Sequence, residues 1–337
     1  MEFKKYPSIE NSYRKKFLDK IVEEGHSKET FVVQEKVHGA NFSVWMTEND
    51  FKVAKRSGFI EEGEKFFNYQ EVVDTYMKRL RGLFEHLQIT QIAEEVVVYG
   101  ELYGGNYPHK DVPKTNQSSV QGGVFYSPKQ DFIAFDIKMN GRYLDVGSVN
   151  RLCATFAIPH AETLKIGTIE ECLEYPNEFQ TTIPLLEGLP DIEGNMCEGV
   201  VIRPVRPLYI FSGERLILKN KNEKFTEKHG FDESKRKVKE ITPLSEGAQQ
   251  AIEKITQYIN DNRLKNVVSK IGEVSQKDFG KVMGLFTQDI IEDFLKDEQE
   301  FFDTLEKSDR KLVTKQVGQE AAKMVRASFM NIVDGEF

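Results

Sequence analysis

With 337 residues, 39% hydrophobic and 30% charged, the chain can bury a full core and is not a disordered segment. A formal net charge of -8 excludes a surface that is basic throughout, so a polyanion would have to be met by a local positive face. Three widely spaced cysteines, Cys153, Cys172 and Cys197, exclude a cysteine-rich zinc module and fit a reducing, cytoplasmic setting. Met1 to Tyr6 leads into polar sequence without the apolar core of a signal peptide. No stretch approaches membrane-spanning length, so no membrane association is expected.

The elements follow in chain order. The apolar run Phe31-Val32-Val33 leads through Glu35 into Lys36-Val37-His38-Gly39, a turn displayed at a strand end. Strands are predicted at Asn41 to Met46 and Lys52 to Lys55. An amphipathic helix follows at Tyr69 to Leu87, then a strand at Val96 to Leu102. Gly104 to Gln130, rich in Gly, Pro, Lys, Ser and Gln, reads as a long surface loop of the kind that carries function. Beyond it come a strand at Phe132 to Lys138, a helix at Val149 to Phe156, and strands at Gly199 to Arg203 and Arg215 to Lys219. The mixture is α+β with mainly antiparallel sheet. After Ile241-Thr242-Pro243 the pattern turns helical. Ser245 caps a helix bearing Ala248, Ile252, Ile255, Tyr258 and Ile259, and further helices are predicted at 267–271, 277–284, 287–294 and 311–332. The expected domains are 1–242 and a small all-helical 243–337.

Charged residues stand at the ends of the strand-like runs. Lys36 follows the first, and Arg56 ends another in Ala54-Lys55-Arg56-Ser57-Gly58. Glu101 lies in an apolar strand, Phe135-Asp136 pairs an aromatic with a carboxylate, and Glu198-Gly199 opens a strand that carries Val201 and Arg203. Lys219 and Lys221 alternate, so they share one strand face. Such a set suits a reaction that joins phosphate to hydroxyl. An amine takes up the activated group, cations hold phosphate, carboxylates hold a metal and an aromatic shelves a base. Each residue taken singly has an ordinary explanation: Glu101 as a surface-paired acid, Phe135 as core, His38 as a turn residue, the lysines as a solvated face. Their fixed order along the chain is what argues for chemistry.

That order resembles the motifs of the covalent nucleotidyltransferases, the superfamily of ATP-dependent DNA ligases, RNA ligases and capping enzymes. Within it the chain resembles the RNA ligase 2 family, which includes phage double-strand RNA ligases and kinetoplastid RNA-editing ligases. The strings are Glu35-Lys36-Val37-His38-Gly39-Ala40-Asn41-Phe42-Ser43, Ala54 to Gly58 and Leu218 to Phe225, with Asn266 to Glu273 and Lys277 to Leu285 matching the helical C-terminal domain. The 104–130 loop is longer than expected for the phage prototype and closer in flavour to the editing ligases.

The resemblance implies a nucleotidyltransferase domain of the ATP-grasp-like ligase kind followed by a helical domain. It implies an ATP-dependent RNA ligase sealing 3′-hydroxyl/5′-phosphate breaks, preferably nicks in duplex RNA, through lysyl-AMP and RNA-adenylate. Lys36 would carry AMP. Phe135 and Val201 would flank adenine, whose edge the Glu35 backbone would read, with Val37 also in the nucleotide site. Arg56 and Glu101 would hold the ribose, Lys219 and Lys221 the phosphates, and Asn41 the α-phosphate. Glu198 and Glu101 would bind Mg²⁺ or Mn²⁺, while His38, Asp136 and Arg203 fall in the active site without a settled role. Lys265, Lys270, Lys277 and Lys281 would add duplex contact. A monomer is expected, in host cytoplasm if the chain is phage-encoded.

A DNA ligase or capping enzyme would carry an oligonucleotide-binding barrel where this chain is helical. An NAD-dependent ligase would need zinc cysteines. A catalytically silent RNA-binding relative would be expected to have lost the nucleophile or the buried carboxylates, which are costly without function.

Overall fold

The computed structural model describes residues 1–226, 245–335 and 337. Contacts divide the chain into Met1–Lys224 and Phe225–Phe337. The boundary expected near Thr242 lies outside the described residues. No helix among the described residues is long and apolar enough to cross a membrane.

The first unit holds two sheets. One runs β1-β11-β10-β2-β9, formed by β1 (Glu10–Asn11), β2 (Phe31–Glu35), β9 (Thr163–Gly167), β10 (Gly199–Pro204) and β11 (Leu218–Lys221). The other runs β5-β4-β3-β6-β7-β8, from β3 (Ala40–Thr47), β4 (Phe51–Lys55), β5 (Gly58–Phe59), β6 (Glu95–Gly104), β7 (Gln130–Met139) and β8 (Arg142–Tyr143). Every neighbouring pair is antiparallel except β1 with β11. The mainly antiparallel α+β expectation therefore holds.

Alternation sorts the side chains. Phe42, Val44 and Met46 of β3 and Val96, Val98 and Leu102 of β6 share one face with α2 (Tyr69–Gln91) and α3 (Val146–Thr155). Helix α2 buries Val72, Tyr76, Leu80, Leu83 and Leu87, the stripe that a period of 3.6 requires. In the other sheet Phe31, Val33, Val200, Ile202 and Leu218 pack with α1 (Lys15–Glu23) and α4 (Ile169–Leu173). The opposite faces supply Trp45, Val97, Tyr99 and Ile217 to a third cluster, with Phe135 and Val201 partly buried against it. Tyr6 and Phe3 of the N-terminal segment plug that cluster, Phe3 packing against Trp45 and Phe59.

Several elements differ from expectation. The last strand spans Leu218–Lys221 rather than starting at Arg215, because the Ile217 N–H bonds back to the Arg215 carbonyl and breaks the extended run. Between Gly104, the end of β6, and Gln130, the start of β7, the segment has no helix or strand. It is nevertheless no simple surface loop, since Tyr107, Val120 and Tyr126 are buried. Strands β1, β5, β8 and β9 and helices α1, α4 and the short α5 (Ile183–Leu186) fall in sequence left unassigned.

In the second unit Ser245 accepts from the Ala248 N–H and starts α6 (Glu246–Thr256), as expected. Helix α7 covers Asp261–Ile271 and α9 Lys307–Val333. The two short helices expected at 277–284 and 287–294 are one, α8 (Phe279–Thr304). Val282, Phe286, Ile290 and Phe294 form one buried stripe at four-residue spacing, and Gly284 sits in open space where it interrupts nothing. Arg263 is buried between these helices, with Nη1 at 2.6 Å from Asp289 and Nη2 at 2.9 Å from Asp293. Arg263→Ala removes the buried cation shared by Asp289 and Asp293, which keep the more exposed Lys270 at 3.0 Å and Lys296 at 3.5 Å, and leaves a cavity. We expect a loss of about 3 kcal/mol of stability in this unit, read by denaturant unfolding of the whole chain.

Candidate active site

Lys36 to Gly39 join the end of β2 to the start of β3, thereby linking the two sheets. The Lys36 N–H bonds the Gly199 carbonyl at 2.9 Å, extending the β2–β10 pairing by one step. Gly39 passes so close to β6 that a Cβ there would meet the Leu102 carbonyl oxygen at 1.9 Å. Gly199 has φ +141°, and a Cβ would stand 2.2 Å from the Asn220 carbonyl. Both motif glycines are thus required by close backbone approach.

Glu198 is the centre of the cluster. It is 1% exposed, with Oε2 at 2.7 Å from the Lys36 amine and Oε1 at 2.8 Å from the Lys221 amine. His38 Nδ1 lies 3.3 Å from Oε2. Asn222 fixes the backbone beneath, donating from its N–H to the Glu198 carbonyl and from its amide to the Cys197 carbonyl. Burial alone would push the Glu198 carboxyl up, but Lys221, Lys36 and His38 outweigh it and hold it well below the usual carboxylate range. Glu101 shows the opposite balance. Burial, with help from Glu198, raises it to about 8 against the pull of Lys36, Arg56 and Lys221. One pocket therefore holds an ionised and a neutral carboxyl at neutral pH.

Around this centre, Asn41 on β3 pairs across the strand with Glu101 on β6. Arg56 donates to the Tyr6 carbonyl at 2.6 Å, and burial lowers its pKa. Lys219 lies two residues from Lys221 on β11, opposite Val201. The register between β6 and β7 slips at Tyr99/Gly100, so Phe135 is the extra residue of a bulge. That slip turns both Phe135 and Asp136 toward the other sheet. Phe135 and Val201 are each partly exposed at the same cluster, one from each sheet.

Val37 is 8% exposed. The Glu35 carboxylate is also buried and accepts from the Thr181 hydroxyl and from the Thr182 N–H and hydroxyl. Burial still raises its pKa. Asp136 and Arg203 form a separate buried network. Asp136 Oδ2 accepts from Tyr6 at 2.8 Å and from Arg215 at 2.5 Å, and lies 3.2 Å from Arg203. Arg203 also donates to the Phe135 carbonyl at 2.6 Å and to Gln34 at 3.0 Å.

Tyr6, Arg215, Thr181, Thr182 and Tyr126 are the contributors that motif reading missed. Arg215 falls at a strand edge already marked, and Tyr126 is an aromatic in a polar loop, a usable sign of burial. Tyr6 and the two threonines carry no local signal.

A family model described as RNA ligase matches residues 29–221, more than half of the chain, and one described as T4 RNA ligase 2 C-terminal matches 242–323. The chain is 29% identical to mitochondrial RNA-editing ligase 1 of Trypanosoma brucei brucei, over 95% of this chain and 81% of that protein. It is 28% identical to RNA-editing ligase 2 of the same organism, over 98% and 92%. A Naegleria gruberi RNA ligase mutant solved with ATP and Mn overlays with TM-score 0.45 at 15% identity, covering 66% of this chain and 57% of that one, too loosely to inform the site. With both family models following one another along the chain, it belongs to the RNA ligase family and is of the RNA ligase 2 type.

Proposed function

We propose that this RNA ligase seals 3′-hydroxyl/5′-phosphate breaks, preferably nicks in duplex RNA, through an adenylate carried on Lys36. The observation that carries the reading is the placement of the Lys36 amine, 2.7 Å from a buried carboxylate that also binds Lys221. In the first step the Lys36 nitrogen forms a bond to the α-phosphorus of ATP. The bond from that phosphorus to the bridging oxygen breaks, pyrophosphate leaves and the amine sheds its proton. A 5′-phosphate oxygen of RNA then takes the AMP and frees Lys36. The 3′-hydroxyl finally attacks the activated phosphate, releasing AMP and a proton.

The ionised Glu198 orients the amine for the first step. Lys219 and Lys221 meet phosphate oxygens as charge develops, and Asn41 assists near the α-phosphate. Phe135 and Val201 flank the base, Glu35 and Val37 border it through the backbone, and Arg56 and Glu101 hold the ribose. Asp136 and Arg203 serve at one remove, Arg203 by holding the Phe135 carbonyl.

Among the described residues no group of three or more His, Cys, Asp or Glu side chains could hold a metal. Two carboxyls, Glu198 and Glu101, do converge. That donor set suits Mg²⁺ or Mn²⁺, which needs only one or two carboxylates when phosphate oxygens complete the shell. Bound there, the ion would neutralise phosphate charge.

For the RNA, recognition through 2′-hydroxyls and phosphates fits an A-form duplex. Lys277 and Lys281 are exposed in the helical unit, Lys265 lies over the Phe337 ring, and Lys270 is engaged with Asp289 at 3.0 Å. Lys277 and Lys281 are thus the better duplex contacts. The enzyme is expected to act as a monomer.

Incubation with α-labelled ATP and Mg²⁺ should leave a protein label stable to base and labile to acid, absent in Lys36→Ala. Label retained by that variant would move the nucleophile elsewhere. Nicked duplex RNA should be sealed about tenfold or more faster than single-stranded ends or nicked DNA, and equal rates would remove the duplex preference.

A second expectation concerns Glu101 in protein free of metal and nucleotide. Its folded pKa, about 8, lies above the ordinary 4.5, so folding favours the neutral acid. The stability this contributes is full below the ordinary value and is lost as pH rises through the folded one. Between about pH 5 and about pH 8.5, Tm should therefore fall more steeply in wild type than in Glu101→Gln. Glu35, also raised, titrates in both proteins and cancels in the difference. Parallel curves would show that Glu101 is ionised throughout.

A further inference from the structure

The 104–130 segment reaches the turn that bears Lys36 through Tyr126. The Tyr126 hydroxyl accepts the His38 N–H at 2.9 Å, two residues beyond Lys36. Both residues are buried, His38 at 7% and Tyr126 at 1% exposure. A buried amide without an acceptor is expensive, so the position of this hydroxyl fixes where the turn runs.

Tyr126 is itself held from several sides. Its ring packs edge-on against Tyr103 at 5.5 Å, and the Tyr103 hydroxyl donates to Glu187 at 2.7 Å. The preceding residue is clasped by Asn195, whose side chain accepts from the Phe125 N–H at 2.8 Å and donates to the Phe125 carbonyl at 2.6 Å. Asn195 lies in the approach to Glu198. One segment thus braces both the turn that bears Lys36 and the chain that leads to its carboxylate partner.

We propose that Tyr126 is a positioning residue for adenylation: its hydroxyl sets the Lys36 to Gly39 turn so that the Lys36 amine reaches the reacting phosphorus in line. The inference rests on Lys36 being the nucleophile. On either flank the Lys36 N–H is tied to Gly199 and Gly39 is wedged under Leu102, and the His38 ring reaches Glu198 at 3.3 Å, so the Tyr126 hydroxyl is what holds the His38 main chain between them. Removing one hydroxyl there frees the turn without touching any group that meets nucleotide. Misplacement of a nucleophile acts on the chemical step more than on binding.

The test compares Tyr126→Phe with Tyr107→Phe. Tyr107 belongs to the same segment and donates to the Pro190 carbonyl at 2.6 Å, away from the turn. Self-adenylation is followed over a range of ATP concentrations, alongside sealing of a nicked duplex RNA already carrying 5′-adenylate, which does not need Lys36 to be charged. Tyr126→Phe should lower the maximal adenylation rate by about tenfold or more, with the half-saturating ATP concentration within about twofold and pre-adenylated nicks sealed near the wild-type rate. Tyr107→Phe should adenylate normally. Unchanged adenylation in Tyr126→Phe, equal loss in both variants, or parallel loss of adenylation and pre-adenylated sealing in Tyr126→Phe would each overturn the proposal, the last by showing a purely structural role. Wild type and Lys36→Ala run beside them separate this outcome from the prior question. If wild type labels and Lys36→Ala does not, failure of Tyr126→Phe to slow adenylation sinks the positioning role alone. Label on Lys36→Ala sinks both.

Discussion

A buried carboxylate surrounded by cations organises the first unit. Glu198 is nearly inaccessible to water, and an unpaired charge in such a place costs several kcal/mol. Lys36 arrives from β2, Lys221 from β11 and His38 from the turn, so the compensation of one charge locks three stretches of chain together. The Coulomb attraction is strong because Glu198 is buried. For the same reason it sets geometry: a lysine with a flexible stem has a low-energy place for its amine when the buried carboxylate beside it is fixed by Asn222 and the β10 ladder.

The two acids of the pocket divide their labour by environment. Glu198 keeps its charge because cations lie within hydrogen-bond distance, while Glu101, with the same cations further off and Glu198 as a like charge, is driven neutral. Two ionised carboxylates beside each other would repel a polyphosphate. With one neutral, the local field around Lys36 and Lys221 is net positive, although the chain as a whole carries -8. Overall charge therefore says little about what this site attracts.

Periodicity made most of the fold legible. The strands bearing Asn41, Glu101, Phe135 and Val201 are short runs rich in apolar, β-branched and aromatic residues, and α2 has the spacing of a half-buried helix. The motif residues around Lys36 and Glu198 were legible because close backbone approach demands Gly39 and Gly199. What stayed hidden depends on distant partners. Tyr6 meets Asp136 across 130 residues, and Thr181 meets Glu35 across 146. The bulge at Phe135 leaves no mark in composition, since one extra residue in a strand looks like any other. Gly284 misled in the other direction: a glycine with open space around it is tolerated inside a helix whose apolar stripe continues past it.

The Asp136 network shows why the missed residues are structural partners of the site and not ornaments. Two arginines and a tyrosine converge on one carboxylate that is fully buried, and an apolar replacement of similar volume could be as stable. An apolar plug, however, would not fix direction. Arg203 reaches from β10 to the Phe135 carbonyl on β7, Arg215 stacks 3.8 Å over Tyr143 on β8, and Tyr6 brings in the N-terminal segment, whose carbonyl then anchors Arg56. Each bond has one donor and one acceptor in a set orientation, so the two sheets meet in a single register. Phe135 and Val201, one from each sheet, keep their relative placement through that register. Directional bonds to a buried charge resist sliding of the sheets in a way that methyl groups do not, and so hold Phe135 and Val201 in their relative places.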